Sequence, residues 1–353
     1  MIRNQKFNLP RDYDEKQLID QLAGQYAIKK MSRVDGNLTL YDTFDWRLLN
    51  KSLILYSSAN RLVLRKLKKS DILHNIEFSR MPVFIWDFPD GDFKKRLAPI
   101  IKMRALLKLV DVQSRSMPFN ILNADEKTVA RLVFEEIRPA QNKKKQAPAR
   151  HLWLKPIKGY PRYERLLAKG LKDSGLTPGT EKEFFLNVLA LADTEPGSYS
   201  SKVNIQLDPQ MRSDEAAKII LRFLLTVIRA NEAVFEKDLD TEILHDFRVA
   251  IRRTRSALAQ IKNVFPARTT DRFKKDFADV GKRSNALRDL DVYLLNQESY
   301  KKRLPAVLRD DIDPLFTHLR NKRTKAFQHV LRGLKSGKYK KIMQDWETFL
   351  NKP

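Results

Sequence analysis

Between Phe7 and about Leu207 the apolar positions come in short alternating runs. Leu38-Thr-Leu-Tyr41, Leu53-Ile-Leu-Tyr56 and Arg61-Leu-Val-Leu-Arg65 have the period of two that turns one side of a strand inward. Asp35-Gly36 and Asp90-Gly91 are turn signals between such runs, and the stretches near Glu15–Gln25 and Arg162–Ser174 have helical spacing. This half is expected to be an α+β domain based on an antiparallel sheet. Within it, Gln141–Arg150, QNKKKQAPAR, is polar and basic and joins two strand-like runs, so it reads as a solvated hairpin loop.

Past Asp208-Pro209 the period lengthens to that of helices with visible starts and stops. Ser213-Asp-Glu is an N-cap followed by acids, and Asp240 or Thr241 opens a second helix that ends before Pro266. Thr270-Asp271 opens a third, and Asp313-Pro314 opens a fourth that Gly337 can end. The boundary falls near residues 202–212, giving a domain of 1–207 and an all-α bundle of 208–353. A chain of 353 residues is long enough for both.

The second helix, LHDFRVAIRRTRSALAQIKNVF, is the most informative stretch. Leu244, Phe247, Ile251, Thr254, Leu258, Ile261 and Phe265 recur at steps of three and four, the seam of a helix packed in a bundle. One position later come His245, Arg248, Arg252, Arg255 and Lys262, a cationic rail along the rim of that seam. Like charges at this spacing repel by about a few tenths of a kcal/mol per pair. Asp246 is the one carboxylate between Glu242 and Asp271, so an external polyanion is the partner that would pair the guanidinium groups bidentately. On the first helix Lys218, Arg222 and Arg229 share a face, and Lys274, Lys275, Lys282, Arg283 and Arg288 follow on the third; packed side by side, these rails would line one groove. The plain alternative is a solvated charged face. A stripe of one sign that borders the core and recurs on neighbouring helices favours a binding surface. For His245 alone, a capping or core-edge role and a ligand contact both stay open.

Composition agrees. There are 68 Lys and Arg against 43 Asp and Glu, a net charge of +25 and a pI near 10.0. Residues 211–353 hold 31 basic and 19 acidic side chains, so the excess is shared by both halves and is not a tail. An anionic partner is the first expectation. The lack of cysteine excludes disulfides, thiolate metal sites and cysteine nucleophiles, and it suits a reducing compartment. No stretch reads as a secretory signal or reaches the roughly 18 apolar residues of a membrane span. A cytoplasmic protein with no membrane partner is expected.

LHDFRVAIRRTRSAL (244–258), followed by NALRDLDVYLL (285–295), resembles the signature of the CHAD family, helical domains that bind inorganic polyphosphate. The resemblance implies that His245, Arg248, Arg252, Arg253, Arg255 and Arg288 contact phosphate, with Lys218, Arg222, Arg229, Lys262, Lys282 and Arg283 as further contacts on the rails. It also implies association with polyphosphate granules. A complete domain of that family has two similar bundles, and residues 211–353 make only one. Either a partner chain, a second copy included, supplies the other half, or the bundle works alone, or the natural chain continues beyond Pro353.

In the first half, YDTFDWRLLNKSLIL (41–55) resembles a strand and turn of the CYTH family, the triphosphate tunnel enzymes, and WLKPIKGY (153–160) resembles a later strand and turn. The implied fold is an antiparallel β-barrel around a tunnel. That family begins with Glu-x-Glu-x-Lys, whose carboxylates hold a divalent metal; here the stretch is Ile2-Arg-Asn-Gln-Lys6, which keeps only the lysine. Its basic strand is replaced by Leu55-Tyr-Ser-Ser58, and the adjacent Glu135 and Glu136 point to opposite strand faces. The expected function is therefore non-enzymatic binding of inorganic polyphosphate, without cofactor or metal. The first domain would be a catalytically silent scaffold, or an auxiliary anion site at Lys6, Arg61, Arg65 and Arg115. One alternative is a metal-dependent tripolyphosphatase or nucleoside triphosphatase in that domain, against which the missing acids count. Another is nucleic-acid binding, against which the rails count because they carry no aromatic side chain for stacking; Trp46, Trp86, Trp153 and Trp346 lie elsewhere.

Overall fold

The computed structural model describes residues 4–10, 12–67, 72–140, 147–191 and 196–352. The chain divides into two compact units, Met1–Ser198 and Tyr199–Pro353.

Among the described residues the first unit has ten strands: β1 (Gln5–Asn8), β2 (Ala27–Lys30), β3 (Val34–Asp42), β4 (Leu53–Ser58), β5 (Arg61–Lys66), β6 (Ile72–Glu77), β7 (Leu107–Leu122), β8 (Thr128–Pro139), β9 (Ala149–Pro156) and β10 (Thr177–Gly179). All described pairings are antiparallel, in the order β10-β1-β9-β8-β7-β3-β4-β5-β6, with β2 also on β7. Four helices accompany them: α1 (Glu15–Ala23), α2 (Asp92–Ile101), α3 (Pro161–Asp173) and α4 (Glu181–Leu189). Alternation along the strands sets the layers. Phe7, Leu132, Phe134, Leu152 and Leu154 pack with Leu18 and Leu22 of α1 and Leu167 and Leu171 of α3. The intervening residues Lys6, Glu135, Trp153 and Lys155 face the other way. Side chains from β3, β4, β5, β7, β8 and β9 meet around one cavity under α4. Six flat strands would span about 24 Å, so the sheet is rolled around it like the wall of a tunnel.

Some local readings are corrected. Asp35 and Gly36 lie inside β3, paired with Arg115 and Ser114 of the long β7, and a Cβ on Gly36 would come within 3.1 Å of Ser114 Oγ. The glycine permits close approach and makes no turn. The real turn follows β3, where buried Asp42 accepts backbone N–H groups from Thr43, Leu48 and Leu49 and Trp46 takes a positive φ. Burial pushes the Asp42 carboxyl up to about 6, against the lowering effect of those hydrogen bonds. β8 and β9 pair as a hairpin; most of the basic loop between them, residues 141–146, lies outside the described residues, as does Ile2.

The second unit is helical: α5 (Ser213–Phe235), α6 (Thr241–Gln260), α7 (Ala267–Arg283), α8 (Asn285–Leu295), α9 (Gln297–Arg303), α10 (Asp313–Lys335) and α11 (Gly337–Asn351). α5 packs along α6, α6 along α7, and α10 along α8. Trp346 is fully buried against Phe273, Phe277 and Phe349. Asp240 caps α6 by accepting the N–H groups of Glu242 and Ile243, while Arg212, not Ser213, stands at the cap position of α5. Two ends differ from the expectation. α6 stops at Gln260, because Ile261 is extended, Asn263 is left-handed and Pro266 sets the start of α7, three residues ahead of Thr270. Gly337 opens α11 after the Ser336 cap and does not close α10. The division at Tyr199 precedes the change in pattern at Asp208. The buried Tyr199 hydroxyl donates to Asp246 at 2.9 Å and accepts from Asn231 at 2.7 Å, which ties the preceding segment into the bundle.

Candidate functional site

His245, Arg248, Arg252 and Arg255 of α6, Lys282 of α7 and Arg288 of α8 line one groove of about 350 Å³. The α6 residues arrive there because steps of three and four return to one face, while Leu244, Phe247, Ile251, Thr254 and Leu258 are buried on the neighbouring face. Lys282 and Arg288 arrive because the chain bends at Ser284, between α7 and α8.

Arg248 is held in place by the protein itself. Its Nη1 donates to Gly281 O at 3.1 Å, Ser284 Oγ at 2.6 Å and Asn285 Oδ1 at 2.9 Å. Arg288 donates to Thr241 O and lies 3.8 Å from Glu242. Asp246, the carboxylate nearest in sequence, is turned inward to Tyr199. Among the described residues Arg252, Arg255 and Lys282 form no ion pair. The groove therefore presents five lysine and arginine cations and the His245 imidazole, with Glu242 beside Arg288. Burial holds the His245 imidazole below its ordinary value, against the pull of Glu242. Burial likewise lowers Arg248, opposed by Asp289 and reinforced by Arg288 and Arg252. An anion entering here would relieve both effects.

Other predicted contacts lie elsewhere. Lys218 and Arg222 donate to the carbonyls of Lys352 and Leu350, at the end of α11, and Arg229 meets Glu232 and Glu347. Basic side chains satisfying the last carbonyls of a helix are a common cap, so the α5 rail serves packing and does not border the groove. Arg253, one residue off the stripe, donates to Ser201 O. Lys262 lies beyond the end of α6 and is exposed. Lys274 pairs with Asp271, and Arg283 leans over Gly333 of α10. Sequence reasoning missed Ser284, Asn285 and Glu242. The only sequence signal for the first two is a polar pair between two helical patterns.

The sheet unit has its own cavity of about 190 Å³, lined by Arg65, Glu135, Trp153, Lys155, Glu181 and Phe184 among others. Lys6 is buried beside it, with Nζ 4.0 Å from the Trp153 ring centre and 3.1 Å from that of Phe184. Burial lowers its ammonium to about 7, only partly offset by Glu181 and Glu135. Arg65 pairs with Glu181 at 3.1 Å, and Glu135 accepts from Trp153 Nε1 at 2.7 Å. Arg61 is exposed and pairs with Glu77, and Arg115 is exposed opposite Glu136, so neither reaches this cavity. Among the described residues no cluster of three or more His, Asp or Glu is placed to hold a metal. Each of the two cavity carboxylates already has one partner, Arg65 for Glu181 and Trp153 for Glu135, and Lys6 lies close to both. The donor set does not fit the divalent ion that the tunnel-enzyme resemblance implies.

Residues 219–353 match the family model described as the CHAD domain. No curated protein matches the chain. Among solved structures, that of a putative adenylyl cyclase, HpAC1 from Hippeastrum, described as revealing a dominant triphosphatase activity, is 14% identical with a TM-score of 0.33. The similarity covers 50% of this chain and 90% of that one. No described helix is long and apolar enough to cross a membrane.

Proposed function

Starting from the match of residues 219–353 to the CHAD domain, we propose that the helical unit binds inorganic polyphosphate in the groove between α6, α7 and α8, without chemistry. The observation that carries this reading is the convergence of five cations and His245 on one groove in which, among the described residues, Arg252, Arg255 and Lys282 have no carboxylate partner. Phosphate oxygens supply acceptors for every one of these donors. The groove lining has no Phe, Tyr or Trp, which favours a polymer without bases over a single-stranded nucleic acid. The sheet unit is read as a non-catalytic scaffold, because its acids are already engaged and its lysine is stacked between aromatic rings.

The test is direct titration of the purified chain with polyphosphate in the presence of competing DNA or RNA. Tight binding that equal charge concentrations of nucleic acid do not displace is expected, and equal displacement would overturn the assignment. Incubation with tripolyphosphate and Mg²⁺ or Mn²⁺ is expected to release no orthophosphate. Turnover that disappears in a Glu135→Gln and Glu181→Gln variant would restore the enzymatic reading of the sheet unit.

A further inference from the structure

The helical unit has a second line of basic side chains outside the groove, three lysine and arginine cations interleaved with two histidines. On α10, His318, Lys322, Lys325, His329 and Arg332 follow at steps of four, three, four and three. Such steps put them on one face of a helix. That face is opposite the buried one, which carries Phe316, Phe327, Val330 and Leu334, and all five side chains are exposed. The line extends for about 21 Å, at a rise of 1.5 Å per residue.

Three features separate it from an ordinary solvated face. Such faces mix signs along i, i+4 pairs, whereas α10 has one carboxylate, Asp313, at its first turn. The other cations of this helix that meet acids do so off the line: Arg323 holds Asp238 and Asp291 of the core edge, and Lys335 holds Glu236. None of the five makes a hydrogen bond or ion pair among the described residues. Finally, no large apolar residue is exposed between His318 and Arg332. A protein partner needs an apolar centre to its interface, and a single-stranded nucleic acid is gripped by aromatic platforms. This face offers neither.

We infer that this face of α10 is a second contact for the same polymer, engaged only by polyphosphate chains long enough to leave the groove and run along the helix. The inference rests on the groove reading for the identity of the ligand. No residue of α10 lines the groove, and the rail points away from the packed side of α10. A chain that fills only the groove therefore does not touch the rail, and chain length separates the two contacts.

The experiment compares a short polyphosphate of a few units with one of several hundred, at low salt, on four proteins: wild type, Lys322→Ala/Lys325→Ala/Arg332→Ala, the reversal Lys322→Glu/Lys325→Glu, and the groove variant Arg252→Ala/Arg255→Ala. The triple variant is expected to lose about tenfold in long-chain affinity while short-chain affinity stays unchanged. The reversal is expected to lose more, again for the long chain alone. Unfolding midpoints equal to wild type exclude a folding defect, because the substituted side chains are exposed. Long-chain affinity unchanged in both α10 variants, or equal losses for both chain lengths, would overturn the rail. Duplex DNA binding as tightly as long polyphosphate, and weakened equally by the triple variant, would assign the face to nucleic acid and also overturn it. The groove reading fails separately, if wild type does not bind the short chain or the groove variant binds it equally well.

Discussion

The fixed position of Arg248 allows the groove residues to be ranked before any binding is measured. Arg252 and Arg255 are exposed, so each pair with phosphate contributes on the order of 0.2–1 kcal/mol. The Arg252→Ala/Arg255→Ala variant should thus lose about 1 kcal/mol, or about fivefold in affinity. Arg248 is half-buried and held by Gly281, Ser284 and Asn285. A hydrogen bond from such an oriented charged donor contributes about 1.5–3 kcal/mol, so Arg248→Ala alone should weaken binding about ten- to a hundredfold. Salt dependence supplies a second reading. If counterion release from polyphosphate resembles that from single strands, each lost contact flattens the slope of log affinity against log salt by about 0.7. The double variant should flatten it by about twice that amount. Titration calorimetry with a short polyphosphate across a salt series measures both quantities. A larger loss for the exposed pair than for Arg248, or a slope that does not change in the double variant, refutes the reasoning.

Three further outcomes are expected. Burial holds His245 below its ordinary value, while Glu242 and Asp246 oppose this and Arg288 and Arg252 reinforce it. Bound phosphate should raise it, so binding takes up a proton and tightens as pH falls; calorimetry in buffers of different ionisation heat should show that uptake in wild type and not in His245→Gln, and equal uptake in both would exclude His245. Lys6 titrates near 7 when folded, against an ordinary 10.5; between these values the unfolded chain holds the extra proton, so stability rises with pH across that window and levels off below it. Denaturant midpoints should show this rise in wild type and lose it in Lys6→Met, and parallel curves would contradict the burial of the ammonium. Tyr199→Phe removes the hydroxyl shared by Asp246 and Asn231, which should cost about 1–3 kcal/mol of bundle stability, and an unchanged midpoint would mean that the segment is not tied in.

Local periodicity made α6 and its rail legible, since burial on one face and charge on the next are written in neighbouring positions. The same holds for the cavity side of the sheet: Lys6 alternates with Phe7, and Trp153 with Leu152 and Leu154. What could not be read depends on partners distant in sequence. Lys218 and Arg222 look like a rail until the carbonyls of Leu350 and Lys352 come to lie beside them. Lys6 looks like an anion contact until Phe184 of α4 covers it. Arg253 differs from Arg252 by one position, or about 100° around the helix, which turns it from the groove to Ser201. The end of α6 escaped for a local reason, because a left-handed Asn263 leaves little trace in an apolar pattern that runs on to Phe265.

The anchoring of Arg248 also bears on kinetics. If phosphate binds the Arg248 guanidinium in the orientation that Gly281, Ser284 and Asn285 already give it, capture needs no rearrangement there and is limited by diffusional encounter in the field of a strongly cationic surface. Association should then be fast and governed by ionic strength. Discrimination between one phosphate chain and another should reside in how long each stays bound.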